Sequence, residues 1–302
     1  MSEKLGQLDL VFVVDNTGSM GPYIQQVKQR ILEIIRTIKK EELCHRLRVG
    51  LVCYRDHHPE ESTYVTRKYE LTSDTARIER NVMEMEASGG GDGPEAVADS
   101  LDVTNRMEFL TEAAKVAVLI GDAPPHGVEE GDIWHECPDG ISWEAEIEKA
   151  HSKGIVIHTV GCHPEIESYK NAIAVFQKIA AQTGGKYFPL TEAGLLVQLI
   201  TGIAVEEIDK LAIQQSILEE MGASLGKAEL PAEGEMSDDM VRDLAERLVA
   251  KGTKRRAVTM ARPAATAAAR APKSEEVQIG EQSVSEDDIR EAIRQLRAKS
   301  KK

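Results

Sequence analysis

Asp15, Thr17 and Ser19 stand at alternate positions in the segment Asp15-Asn16-Thr17-Gly18-Ser19-Met20, between an apolar run and an amphipathic stretch. One carboxylate and two hydroxyls so spaced on a strand-to-helix loop can converge on a point, and hard oxygen donors of this kind suit Mg2+, Mn2+ or Ca2+. The same side chains would equally serve as caps for the following helix. Two further loops favour the cation. The stretch Gly89-Gly90-Gly91-Asp92-Gly93-Pro94-Glu95 carries Asp92 on a glycine-rich turn before a helix, and Gly121-Asp122-Ala123-Pro124-Pro125-His126-Gly127 carries Asp122 directly after an apolar strand.

Other groups offer other chemistry. His126, His135, Cys137, Cys162 and His163 could form a softer zinc site at the same rim, although their spacing matches no standard finger. The blander expectation is that they line a pocket wall and fix its loops. Arg55, Asp56, His57 and His58 suggest acid/base work, but no nucleophile with a partnering base accompanies them, and a solvated loop is the simpler expectation. The glycine run at 89–93 has no following GK[ST], so it is not a phosphate loop. The first loop lacks the second Asp that a phosphotransferase of the haloacid dehalogenase type requires. Trp134 and Trp143 flank the His135-Glu136-Cys137 segment and are expected to anchor it by packing, with a binding hot spot as the alternative.

The elements that must position these loops alternate in period. Leu8 to Val14, Leu47 to Tyr54, Lys115 to Ile120 and Gly154 to Val160 are short β-branched runs, as buried parallel strands should be. Tyr64 to Leu71 is polar and alternating, which suits an edge strand, and Lys186 to Pro189 reads as a short last strand. Helical spacing marks 21–40, 75–85, 95–106, 143–153, 168–183 and 192–221, with Gly184 and Gly185 as C-cap residues. Alternating β and α elements imply an α/β fold: a mainly parallel sheet with one antiparallel edge strand, covered by helices on both faces. In such folds ligands sit at the carboxyl ends of strands beside a topological switch point, where the loops after Val14, Ile120 and Val160 emerge.

With its three Asp-bearing loops, the chain resembles the von Willebrand factor type A family over about residues 8–205. That family's metal-ion-dependent adhesion site combines an Asp-x-Ser/Thr-x-Ser loop, a Thr or Asp in a glycine-rich second loop and an Asp after the central strand. Asp15, Thr17 and Ser19 match the first, Asp92 the second and Asp122 the third. The Tyr54-Arg55-Asp56-His57, GGGDGPEA and GDAPPHG segments are similar to an intracellular subgroup that includes the domain beside atypical alpha-kinases, and hemicentin-like domains also carry a GGGDxPE loop. The resemblance implies a Rossmann-like three-layer domain that holds a divalent cation, Mg2+ or else Mn2+ or Ca2+, without catalysing a reaction. It implies that Thr17 and Ser19 touch the metal through their hydroxyls, that Asp15 and Asp122 act through water or orient the shell, and that an acidic side chain of a protein partner completes the coordination. Asp92 departs from the Thr of integrin-type domains. A third carboxylate favours metal retention and weakens the pull on a partner's carboxylate.

Composition bounds the rest. The 302 residues carry a formal net charge of -14, which disfavours non-specific nucleic-acid binding. No apolar run approaches the ~20 residues of a membrane span, and the opening MSEKLGQLDL lacks a basic n-region followed by an apolar h-region, so secretion by a signal peptide is not expected. Four scattered cysteines point to a reducing, cytoplasmic setting. Residues 1–222 hold 21 basic and 37 acidic residues against 16 and 14 beyond, so the domain boundary is placed near 222. A short helical extension is expected over 223–250, a flexible basic Ala/Pro-rich linker over 251–284, and an amphipathic helix over 285–302 whose Ile289, Ile293 and Leu296 stripe would dock on a partner or a second copy. The function expected is a metal-dependent protein-interaction module, a scaffold or regulatory subunit of an intracellular complex. The alternatives are a metal-dependent hydrolase or phosphatase built on the Asp cluster, and an accessory subunit of a kinase or AAA+ ring ATPase.

Overall fold

The computed structural model describes residues 6–91, 93–190, 195–221, 237–261 and 276–300. Two compact units form, Gln7–Val197 and the segment from Gln198 onward together with Gly6.

The first unit is built on β1 (Gln7–Asp15), β2 (Arg46–Tyr54), β3 (Thr66–Thr72), β4 (Ala113–Gly121), β5 (Ile155–Cys162) and β6 (Tyr187–Leu190). They form one sheet in the order β3-β2-β1-β4-β5-β6. Every neighbouring pair is parallel except β2 and β3. This is the mainly parallel α/β sheet with one antiparallel edge that the sequence predicts. The interior strands are buried on both faces because successive side chains alternate sides and both sides are covered. Val11 and Val13 pack in one cluster with Leu101, Ile147 and Phe176, which come from α3 (Val97–Asn105), α4 (Trp143–Ser152) and α5 (Ala172–Thr183). Leu10, Phe12 and Val14 are equally buried on the other side. Helix α1 (Gly21–Lys40) buries Val27, Ile31, Ile34, Ile35 and Ile38 at helical spacing, and α2 (Thr75–Met83) is capped by Asp74, which accepts from the Arg77 N–H at 3.1 Å. The charge near the start of β1, Asp9, is neutralised by Arg48, whose Nε and Nη2 donate to its two oxygens at 2.8 and 2.5 Å.

The topology creates the switch point. From β1 the chain builds outward to β2 on one side and later returns to place β4 on the other. The carboxyl ends of β1 and β4 therefore lie side by side with their loops diverging, which opens a crevice.

The second unit corrects two expectations. Within the expected linker, Lys254–Ala261 (β7) and Glu276–Ser283 (β8) are strands paired antiparallel, with Val258 opposite Ile279. Residues 262–275 lie outside the described residues. The basic run Lys254-Arg255-Arg256 is ordered because acids answer it. Arg256 forks onto Asp209 of α6 (Leu196–Glu220) at 2.8 and 2.6 Å, and the Val258 N–H donates to the buried Glu206 at 2.9 Å. The terminal helix α8 (Glu286–Ser300) does not hold its apolar stripe in reserve. Ile289, Ile293 and Leu296 are buried with Ile213 and Ile217 of α6 and with Val241, Leu244 and Leu248 of α7 (Asp238–Ala250). A stripe too narrow to sustain an isolated helix is covered within its own unit.

Candidate functional site

Asp15 closes β1, and Asp122 follows the last residue of β4. The strands bring both carboxylates to the crevice, and both are buried. Asp15 Oδ1 accepts from the Thr17 N–H at 2.8 Å and from Thr17 Oγ1 at 2.6 Å. Thr17 Oγ1 lies 3.1 Å from Ser19 Oγ, and Ser19 Oγ donates to Asp122 Oδ1 at 3.1 Å. An unbroken chain of oxygen contacts thus runs Asp15, Thr17, Ser19, Asp122. The capping alternative is not realised, since neither the 3-10 turn Gly18–Met20 nor α1 receives a side-chain cap.

The second loop packs on the first. The Gly18 N–H donates to the Gly89 carbonyl at 2.8 Å. Gly90 has φ +77, and a Cβ there would stand 2.8 Å from Glu95 Oε1 and 3.1 Å from Thr17 Cβ, so this approach requires glycine. On the far side, Tyr169 Oη donates to the Gly93 carbonyl at 3.0 Å. Asp92, expected as the third carboxylate, lies outside the described residues.

The electrostatics are those of anions brought together out of water. Burial above all, and then the Asp122 charge, pushes the Asp15 carboxyl up to about 8. Burial also raises Asp122. Asp15 Oδ2 and Asp122 Oδ2 are both buried without a hydrogen-bond partner, and so is Tyr54 Oη. Unsatisfied buried acceptors are costly, and two on facing carboxylates form a place where a cation gains most. Tyr54 was not anticipated from the sequence. It ends β2 opposite Asp15, and its ring reaches so close to Gly121 that a Cβ at 121 would lie 2.4 Å from its hydroxyl. A strand-terminal Tyr carries no signal of its own in the sequence. Among the hard oxygen donors here, two carboxylates and two hydroxyls suit a small divalent cation.

The softer residues are sorted differently from the expected single group. Cys162 is buried beside Asp15 and Asp122, which with burial raise its thiol. His163 contacts Glu167 and Tyr187 Oη at 2.8 and 2.9 Å. His126 Nε2 contacts Asp56 Oδ1 at 2.8 Å, while Cys137 lies near His57 and Asp99. His135 is exposed. The segment 55–58 is not a solvated loop: Arg55, Asp56 and His57 are buried and only His58 is exposed. Arg55 is structural, donating to Thr63 Oγ1 at 2.7 Å and to the Glu86 carbonyl at 2.9 Å. Trp134 packs edge-on to His126, and Trp143 packs against the core under Lys178.

Comparison with known proteins gives the family and the fold. The von Willebrand factor A domain family model matches residues 9–192. The chain is 33% identical over 133 residues to alpha-protein kinase vwkA of Dictyostelium discoideum, covering 44% of this chain and 21% of that protein. It is 27% identical over 119 residues to the putative ariadne-like RING finger protein R811 of Acanthamoeba polyphaga mimivirus, covering 39% and 11%. The match thus spans 21% of the first relative and 11% of the second. Among solved structures, a von Willebrand factor type A protein from Catenulispora acidiphila superposes with TM-score 0.50 at 15% identity, over 68% of this chain and 43% of that one. The open form of the pilus adhesin SpaC from Lactobacillus rhamnosus GG gives 0.51 at 14% identity, over 69% and 31%. These two likenesses speak to the fold alone.

Proposed function

Since the chain belongs to the von Willebrand factor A domain family over residues 9–192, we propose that it is a non-enzymatic module that binds a protein partner through a divalent cation held at the β1–β4 crevice. The observation that carries the reading is the joined pair Asp15 and Asp122, each with one buried oxygen unpartnered. Thr17 and Ser19 supply hydroxyls to the cation, Asp15 and Asp122 supply charge and orientation, and Asp92 adds a third carboxylate. Bound Mg2+ or Mn2+ supplies a Lewis-acidic point for an acidic side chain of the partner. Residues of this chain hold the shell rigid, because Asp15 ends one buried strand and Asp122 follows another. The matched relatives named as an alpha-protein kinase and a RING finger protein are far longer than their matched segments. Those names support a role as scaffold or regulatory subunit of an intracellular complex. Four free cysteines support a reducing, cytoplasmic setting. Among the described residues no helix is long and apolar enough to cross a membrane.

Isothermal titration of the full chain with Mg2+ and Mn2+ tests the reading. Saturable binding in the wild type that is lost in Asp15→Ala is expected. Equal binding by both proteins overturns it.

A further inference from the structure

A second cluster of ligand-type side chains lies outside this site and shares none of its residues. His57 follows β2, Asp99 sits in the first turn of α3, and Cys137 belongs to the segment 122–142 between β4 and α4. All three are buried. Their donor atoms converge. His57 Nε2 is 3.3 Å from Asp99 Oδ2 and 3.9 Å from Cys137 Sγ, and Sγ is 3.3 Å from Asp99 Oδ2. Asp139, two residues beyond Cys137 and largely exposed, brings its Oδ2 to 3.8 Å from the same Nε2.

The Sγ–Asp99 separation is that of an S–H···O hydrogen bond, whereas the His57 Nε2–Asp99 separation is longer than a charge-assisted bond and within the range of coordinating atoms. A charge-assisted N–H···O bond from His57 would be about 2.7–2.9 Å. Neither carboxylate oxygen comes that near to Nε2. In a tetrahedral zinc site, bonds of about 2.0–2.3 Å to N, O and S set the ligand atoms roughly 3.3–3.7 Å apart. The three buried atoms lie within a few tenths of an ångström of that triangle, and the fourth position is left to Asp139, which approaches His57 alone, or to water.

A carboxylate stands beside the other nitrogen of the imidazole, at a distance longer than a hydrogen bond. Metal-bound imidazoles characteristically turn their other nitrogen to a carboxylate. His57 Nδ1 has no hydrogen-bond partner and faces Asp56 Oδ1 at 3.8 Å. Asp56 is itself fixed, accepting from the His57 backbone N–H at 2.6 Å and contacting His126 Nε2 at 2.8 Å. The donor set of one thiolate, one imidazole and carboxylates is borderline-soft, unlike the all-oxygen crevice, and selects Zn2+ over Mg2+.

We propose that His57, Asp99 and Cys137 form a structural zinc site whose fourth position is open to Asp139 or water. The ion would tie the 122–142 segment to α3 and to the loop after β2. That segment begins at Asp122 and is longer than most unstructured connections, which makes an internal staple physically useful. Binding displaces the thiol proton of Cys137 to solvent.

The test uses Co2+ as a spectroscopic stand-in on the full chain stripped with chelator. One equivalent should produce a near-ultraviolet thiolate-to-cobalt charge-transfer band and the intense visible bands of tetrahedral Co2+, both erased by added Zn2+ and unaffected by excess Mg2+. Cys137→Ser should lose the near-ultraviolet band, and Asp15→Ala should keep it, so failure here is distinguishable from failure at the crevice. Should Cys137→Ser not fold, X-ray absorption of zinc-loaded wild type decides, with one sulfur in the shell at about 2.3 Å expected. A cobalt complex lacking the thiolate band, a band that persists in Cys137→Ser, or a zinc shell without sulfur overturns the proposal.

Discussion

Ser19 Oγ donates to Asp122 Oδ1 at 3.1 Å across 103 positions of chain. One hydroxyl thereby joins the loop after β1 to the loop after β4 and fixes the distance across the crevice. Ser19→Ala removes that link and one hard oxygen donor without disturbing the buried strands. Mg2+ affinity should fall by roughly tenfold, the equivalent of about 1.4 kcal/mol, while the metal-free melting temperature stays near that of the wild type. Calorimetric titration measures the first and a thermal scan the second; undiminished affinity contradicts Ser19 as a contributor.

Replacing Asp15 by Asn should have opposite effects with and without metal. The metal-free protein gains, because a buried carboxylate beside Asp122 is exchanged for a neutral group of the same shape. The stabilisation by Mg2+ or Mn2+ disappears, since a bound ligand stabilises only in proportion to its affinity. Paired melting curves with chelator and with Mg2+ show both signs at once. A lower metal-free melting temperature for Asp15→Asn is the contrary result.

The same carboxyl sets a pH dependence. Asp15 is raised to about 8 in the folded, metal-free state, chiefly by burial and then by Asp122. Its unfolded value is roughly 3.9. The folded state therefore holds this proton more tightly than the unfolded chain does. The contribution to metal-free stability is favourable at low pH, declines as pH rises from about 4 through 8, and levels off above. A cation competes with that proton, so the Mg2+-induced rise in melting temperature should be larger at pH near 8 than at pH near 6. In Asp15→Asn this part of the pH dependence should vanish.

Gly121→Ala tests how tightly the crevice is built. The new Cβ would meet Tyr54 Oη at 2.4 Å and Asp15 Cβ at 3.4 Å inside a buried strand pair. Overpacking of this kind costs about 1–3 kcal/mol. Tyr54→Phe removes the offending oxygen, which has no partner to lose. The double variant should therefore be more stable than Gly121→Ala alone. Denaturant unfolding of the four proteins gives the coupling, and strict additivity would contradict this account of the clash.

In the second unit, Ile289→Ala should cost about 2–4 kcal/mol in that unit's unfolding, because the side chain is fully buried among α6 and α7 residues. Hydrogen exchange at the Val258 amide, which donates to Glu206, reads the loss. Strong protection in the wild type and rapid exchange in Ile289→Ala are expected. Fast exchange in both would show that the bond from β7 to α6 is not stably formed.

Much of the first unit was legible. β-branched runs became β1, β2, β4 and β5, and the amphipathic stretch at 21–40 became α1, because burial on a sheet interior and on one helix face imposes those periods directly. The loops bearing Asp15, Thr17, Ser19 and Asp122 could be placed together because parallel topology sends strand ends to one edge. Tyr54 stood in a segment that carries the family resemblance, but its place at the crevice was not legible, nor was the convergence of His57, Asp99 and Cys137, since these come from three elements with no local motif among them. The strand β7 was hidden for a different reason. A run of cations without neighbouring acids reads as a solvated linker, and only the acids of α6, distant in sequence, make it a strand.

The order of synthesis places one constraint on the crevice. Asp15 emerges with the first strand, but its facing carboxylate is made 107 residues later, after β2, β3 and the helices α1, α2 and α3. A nascent chain that has not yet docked β4 against β1 has half a crevice and no reason to retain an ion. On the proposed reading, metal retention would mark the docking of β4 beside β1, and a ribosome-bound fragment ending before Ala113 should hold none.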